Sequence, residues 1–174
     1  MGTKPTPSPQ SIEVLMNDVM RRMVVKFNER GSCAPAVCVI GRNDANGLFM
    51  VPIAGASAFF CDEQGKEALA VFCRQARNSN EAETGVAGVL ICHEAWMRKA
   101  IDSAERNEAL VVNLNFRGGQ TYVHMLVADA KTRKVEFAPY VYGSSITQFW
   151  SRFSSGADPD AGQDDHVPAS PTYH

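Results

Sequence analysis

The feature that most restricts this chain's fold is a glycine pair, Gly118-Gly119, set between two alternating runs at 108–116 and 121–128. Read as a two-residue hairpin turn, it pairs Phe116 with Thr121, Asn115 with Tyr122 and Asn113 with His124. One face then displays Val112, Leu114, Phe116, Val123, Met125 and Val127; the other displays Asn113, Asn115, Arg117, Gln120, Tyr122 and His124. A slip by one residue would drive both asparagines into the core, at several kcal/mol by order of magnitude. The expectation is a two-faced sheet whose apolar side meets helices and whose polar side meets water or a ligand.

Upstream, Ile12, Leu15, Met16, Val19, Met23 and Phe27 recur every three or four residues and predict a helix with one apolar stripe. Ser8-Pro9 supplies its cap and first turn, with Ser11 as the alternative start, and Gly31 ends it. The period then falls to two. Residues 35–40 and 48–53 read as strands, joined by Arg42-Asn43-Asp44-Ala45-Asn46-Gly47, a run suited to a hairpin loop. Residues 62–78 predict a second helix, capped by Asp62, burying Leu69, Phe72, Cys73 and Ala76, and weakened near its start by Gly65. A strand over 86–96, apolar enough through Val89-Leu90-Ile91-Cys92 to be central, precedes the glycine hairpin. Residues 134–140 read as a strand closing the sheet, and Ile146, Phe149, Trp150 and Phe153 predict a short C-terminal helix. The order αββαβββ defines one α+β domain over 11–153: a mostly antiparallel sheet of about five to six strands, with both main helices on one face.

Six of the nine prolines lie in the two ends. Such segments bury too little apolar surface to offset about 1–2 kcal/mol per residue of backbone ordering. A mobile N-terminal tail over 1–10 and a disordered acidic tail over 154–174 are expected. The second holds Asp158, Asp160, Asp164 and Asp165 without Lys or Arg, so the net charge of −2 comes from it and the rest is near neutral. A near-neutral domain has no field to steer nucleic acid or an anionic membrane. No run of eighteen apolar residues occurs, and Met1 to Gln10 lacks the apolar centre of a secretory signal. Five cysteines, an odd number without such a signal, predict free thiols and a cytoplasmic location.

No cofactor or metal is expected. Cys33 and Cys38 lack a second pair to complete a zinc site, and Gly85-Val86-Ala87-Gly88 lacks the Lys-Ser or Lys-Thr of a phosphate loop. In Cys92-His93-Glu94, alternation points the histidine away from both neighbours, so the three cannot relay a proton and Cys92 reads as a core thiol. His93 joins His124 and Tyr122 only if its strand lies beside the hairpin on the polar side.

Glu94-Ala95-Trp96-Met97, followed by Glu108-Ala109-Leu110-Val111-Val112, resembles a widespread family of small prokaryotic proteins with the order helix, hairpin, helix, strand, hairpin. The resemblance covers about 11–140. It implies that fold order and carries no activity, cofactor or catalytic residue. Many members have a proline in the link before the second motif, which this chain lacks over 98–107. The first motif sets Trp96 near a strand end, where it can cover the core, and puts Glu94 and Glu108 within reach of Arg98 or Arg106.

Three functions fit these residues. The leading one is a non-catalytic cytoplasmic accessory protein. It would bind an unidentified protein partner, or itself, through the face of Asn113, Asn115, Arg117, Gln120, Tyr122 and His124, or through an exposed sheet edge. The alternative is an enzyme using His124 with His93, Tyr122 or Asn113 around it. The third, a single-stranded nucleic-acid binder, needs Tyr122 to stack and Arg117 to hold phosphate.

Overall fold

The computed structural model of the chain describes residues 7–43, 47–98 and 106–143. Helix α1 (Pro9–Arg30) begins where Ser8 accepts the N–H of Ser11 and ends at Gly31, whose φ of 75° lets its N–H reach the Phe27 carbonyl. Residues 9 and 10 therefore belong to the helix. Strands β1 (Ala36–Arg42) and β2 (Leu48–Pro52) form the first hairpin. A 3-10 turn (Ala56–Phe60) leads to α2 (Glu63–Asn78), capped by Asp62, and to the single turn α3 (Glu81–Thr84). Then β3 (Gly88–Arg98), β4 (Arg106–Phe116) and β5 (Thr121–Val127) run as a meander. Among the described residues the sheet has five strands in the order β2-β1-β3-β4-β5, every pair antiparallel. This is the expected α+β class.

The two main helices divide between the faces instead of sharing one. Helix α1 packs on Cys38, Ile40, Leu90, Cys92, Leu110 and Val112, whereas α2 packs through Leu69, Cys73 and Ala76 on Val37, Val89 and Ile91. The run Val89-Leu90-Ile91-Cys92 is the cause. Its side chains alternate between faces and all four are buried, so each face needs its own cover.

The last expected strand is absent. Residues 134–142 instead run along α1 as a strap outside any strand ladder, with Val135 and Tyr140 buried in the α1 core. The helix expected over 146–153 and the acidic tail over 154–174 lie outside the described residues.

Gly65 is where the start of α2 crosses the 3-10 turn: a Cβ there would lie 2.4 Å from the Ala58 carbonyl oxygen. Gly65→Ala gains about 1 kcal/mol of helix propensity but sets a methyl against backbone, at about 1–3 kcal/mol. We expect a net loss, read as a lower urea midpoint with unchanged slope. A midpoint at or above wild type would show that the turn yields.

Candidate functional site

Strands β4 and β5 pair Asn115 with Thr121, Leu114 with Tyr122 and Val112 with His124, one residue away from the two-residue-turn register. The loop is three residues, Arg117–Gly119, with Gly119 at φ 83° and the Phe116 N–H closing on the Gln120 carbonyl at 2.8 Å. A three-residue loop ending in a left-handed residue is the other short hairpin solution. Changing the count by one turns every β5 side chain over.

The six expected surface residues are consequently split. Asn113 and Asn115 keep to the α2 side, where the Asn115 amide donates to Asn113 at 3.2 Å and the Thr121 hydroxyl donates to Asn115 at 3.0 Å. Asn113 is buried. Arg117 donates from Nε to the Arg77 carbonyl at 3.4 Å, so its cation sits at the C-terminal end of α2, where the helix dipole favours it. Gln120 is exposed in the turn. Tyr122 and His124 cross to the α1 side, among Val112, Leu114 and Phe116.

Tyr122 meets Phe116 edge-on at 5.9 Å and hydrogen-bonds Tyr142; burial, then Tyr142 and Tyr140, push its hydroxyl pKa up. His124 is 2 % exposed beneath the Tyr140 ring, 5.7 Å away. Its ring hydrogen-bonds the Ala138 backbone, while Nδ1 is buried without a partner. His93 lies on the opposite side of the sheet, 6.1 Å from Phe60, with Nδ1–H donating to the Glu94 carbonyl at 2.9 Å. Strand β4 separates the two histidines, which face opposite ways, so they do not form one cluster.

The two family-like motifs meet directly: Ala95 pairs with Ala109 and Trp96 with Glu108 across β3 and β4. Glu94 accepts the N–H of Cys33, where the chain leaves α1. Glu108 holds Arg133 through bonds of 2.9 and 2.6 Å, a partner the sequence did not indicate, while the Arg98 side chain lies outside the described residues. Trp96 does not cover the core. It is 45 % exposed, two residues past the contact between Cys33 and Glu94.

The surface that sequence reasoning did not single out is the edge at β2. Leu48-Phe49-Met50-Val51-Pro52 carries no charge, and Phe49 and Val51 are each about half exposed. Edge strands are commonly guarded by lysine or other charges, so an uncharged one was the available signal. Hydrogen bonds from Asn43 to Gly47 and from Ile53 to Val37 fix which groups face β1. Alternation turns the outward main-chain groups of Leu48, Met50 and Pro52 away from it. Beside this edge, Ser11, Val14, Asp18, Leu48 and Met50 line a groove of about 480 Å³ between α1 and β2.

Among the described residues, no three His, Cys, Asp or Glu side chains converge as metal ligands, and no helix is long and apolar enough to cross a membrane. All five cysteines are free, and burial pushes the Cys73 thiol up to about 12. No family model, curated protein or solved structure matches the chain.

Burial lowers the pKa of both His93 and His124 below the ordinary value of 6.5. Each is therefore more readily protonated in the unfolded chain, and the stability this gives is present above about pH 6.5 and lost as pH falls toward the folded values. We expect a lower urea midpoint at pH 5.5 than at pH 7.5. His124→Phe removes one titrating ring and its unpartnered nitrogen, and should shrink that difference; an unchanged difference would assign the pH dependence elsewhere.

Proposed function

We propose that the chain is a non-catalytic binding protein that works by self-association, two copies joining through β2. The observation that best supports this is the open, uncharged β2 edge with Phe49 and Val51 half exposed. Antiparallel pairing about a two-fold axis at Met50 sets Phe49 of one copy beside Val51 of the other, twice over, as aromatic and β-branched neighbours. The outward groups exchange about four hydrogen bonds, Met50 with Met50 and each Leu48 N–H with the opposite Pro52 carbonyl. Pro52, which has no N–H, is needed there only as an acceptor. So short an edge supports a weak pair, with Kd on the order of 10 μM.

The enzymatic reading has less support, because His93 and His124 face opposite sides of the sheet. Nucleic-acid binding has less as well, because Arg117 is engaged at α2 while Tyr122 packs toward α1. Free thiols suit a reducing, cytoplasmic setting. Membership of the motif family belongs to the same proposal and adds no activity to it.

Size-exclusion chromatography with light scattering tests the pairing. The full chain should pass from single-chain to two-chain mass between about 1 μM and 1 mM. Val51→Lys should stay single while its unfolding free energy changes by no more than about 0.5 kcal/mol. Single-chain mass for the wild type at about 1 mM, or pairing by the lysine variant as strong as wild type, would overturn it.

A further inference from the structure

Helix α1 binds the strap through its main chain. Asn28 takes both groups of Val135, accepting its N–H at 2.9 Å and donating to its carbonyl at 2.9 Å. Asn17 does the same to Tyr140, at 2.6 and 3.2 Å, and Glu13 accepts the Tyr142 N–H at 2.7 Å. Asn17 and Asn28 stand eleven residues apart, three turns on one face, a rise of about 16 Å. Glu13 lies four residues before Asn17, one turn further along the same face. One helix face thus offers three rungs to the main chain of a single peptide segment.

Because these rungs touch only the backbone of the strap, they accept any sequence that can follow the same path. Selection is left to the side chains between α1 and β5. Val135 and Tyr140 are buried there, and Phe137 lies under the Arg21 guanidinium, 4.3 Å from its carbon to the ring centre.

The resident segment seats imperfectly at two points. His124 Nδ1 is left without a donor beneath Tyr140. Arg133, immediately before the strap, is held at φ 52°, a conformation unfavourable for a residue with a side chain, in a turn anchored by its ion pair to Glu108. A peptide supplied separately has no such turn to make.

From this geometry we infer that the groove between α1 and β5 is a binding site for a polypeptide segment held by its main chain, filled at rest by the chain's own residues 134–142. Its ligand carries an aliphatic residue followed at two and five positions by aromatic rings, as Val135, Phe137 and Tyr140 do. The site is separate from the β2 edge, and either can fail without the other.

The tether gives the resident segment an effective concentration on the order of 1 mM, so a free peptide competes weakly unless the turn is loosened. The probe is a labelled synthetic peptide of residues 134–142, titrated by fluorescence anisotropy against full-length wild type and Glu108→Gln, which loses the charged partner of Arg133. Saturable binding should be several-fold tighter in the variant. Methylating the peptide nitrogens at the Val135 and Tyr140 positions removes two donors and should weaken binding about tenfold. Methylation at the exposed Glu136 position should not weaken it. In the wild type, excess peptide should speed hydrogen exchange of the chain's own Tyr140 amide, a readout that stands even if Glu108→Gln fails to fold. Equal binding by the methylated or a scrambled peptide overturns the inference. So does unchanged Tyr140 exchange at peptide concentrations about tenfold above the tether's.

Discussion

The structure depends on β3 being buried from both sides. Val89 and Ile91 need one cover and Leu90 and Cys92 another, and the sheet meets that demand by placing α2 and α1 on opposite faces. Once β3 is central, β1 and β4 must flank it, and their hairpin partners β2 and β5 become the edges. Thiols at Cys38, Cys73 and Cys92 follow from the same burial. They fill space in the two layers and are held protonated by it, which makes them packing groups and poor nucleophiles.

Local signals were legible in the sequence where the physics is local. Ser8-Pro9, Gly31 and Asp62 mark helix ends because capping involves a few adjacent atoms. The strands and the α+β class followed from alternation. The helix arrangement did not, although Val89-Leu90-Ile91-Cys92 held the clue: a run apolar at every position has no solvent face. The hairpin register failed for a different reason. Strand β4 is clearly two-sided, with Asn113 and Asn115 against Val112, Leu114 and Phe116. In β5 the sets Tyr122, His124, Leu126 and Val123, Met125, Val127 are both largely apolar. Pattern could not choose between them, and one residue of loop length decided. Burying His124 costs an unpartnered nitrogen, while Tyr122 and Leu126 bring ring and aliphatic area to the α1 core.

The strap has a strand's residues without a strand's partner. Val135 and Phe137 alternate with charged neighbours, but Asn17 and Asn28 supply the hydrogen bonds that a ladder would have supplied. A primary amide sets an NH2 donor beside a carbonyl acceptor, at about the separation of a residue's own N–H and C=O, so an asparagine can stand in for a strand residue. Sequence periodicity carries no mark of this, since the partner side chains lie more than a hundred positions upstream.

The two edges of the sheet now differ in a way that α1 itself explains. The helix lies across the sheet with flanks of different character. On the β5 flank it presents Glu13, Asn17 and Asn28, and a length of chain fills the space they define. On the β2 flank it presents Ser11, Val14 and Asp18, and the space remains a groove. What leaves β2 open is therefore the lack of a described segment to lie beside it, since the covering helix is the same. An edge closed in this way needs main-chain readers on the helix. An edge left open needs only side chains that water tolerates, and Phe49 and Val51 are poor choices for that alone. Two apolar residues kept on an uncharged strand, whose outer edge no described residue pairs, are accounted for when that edge has somewhere to pair.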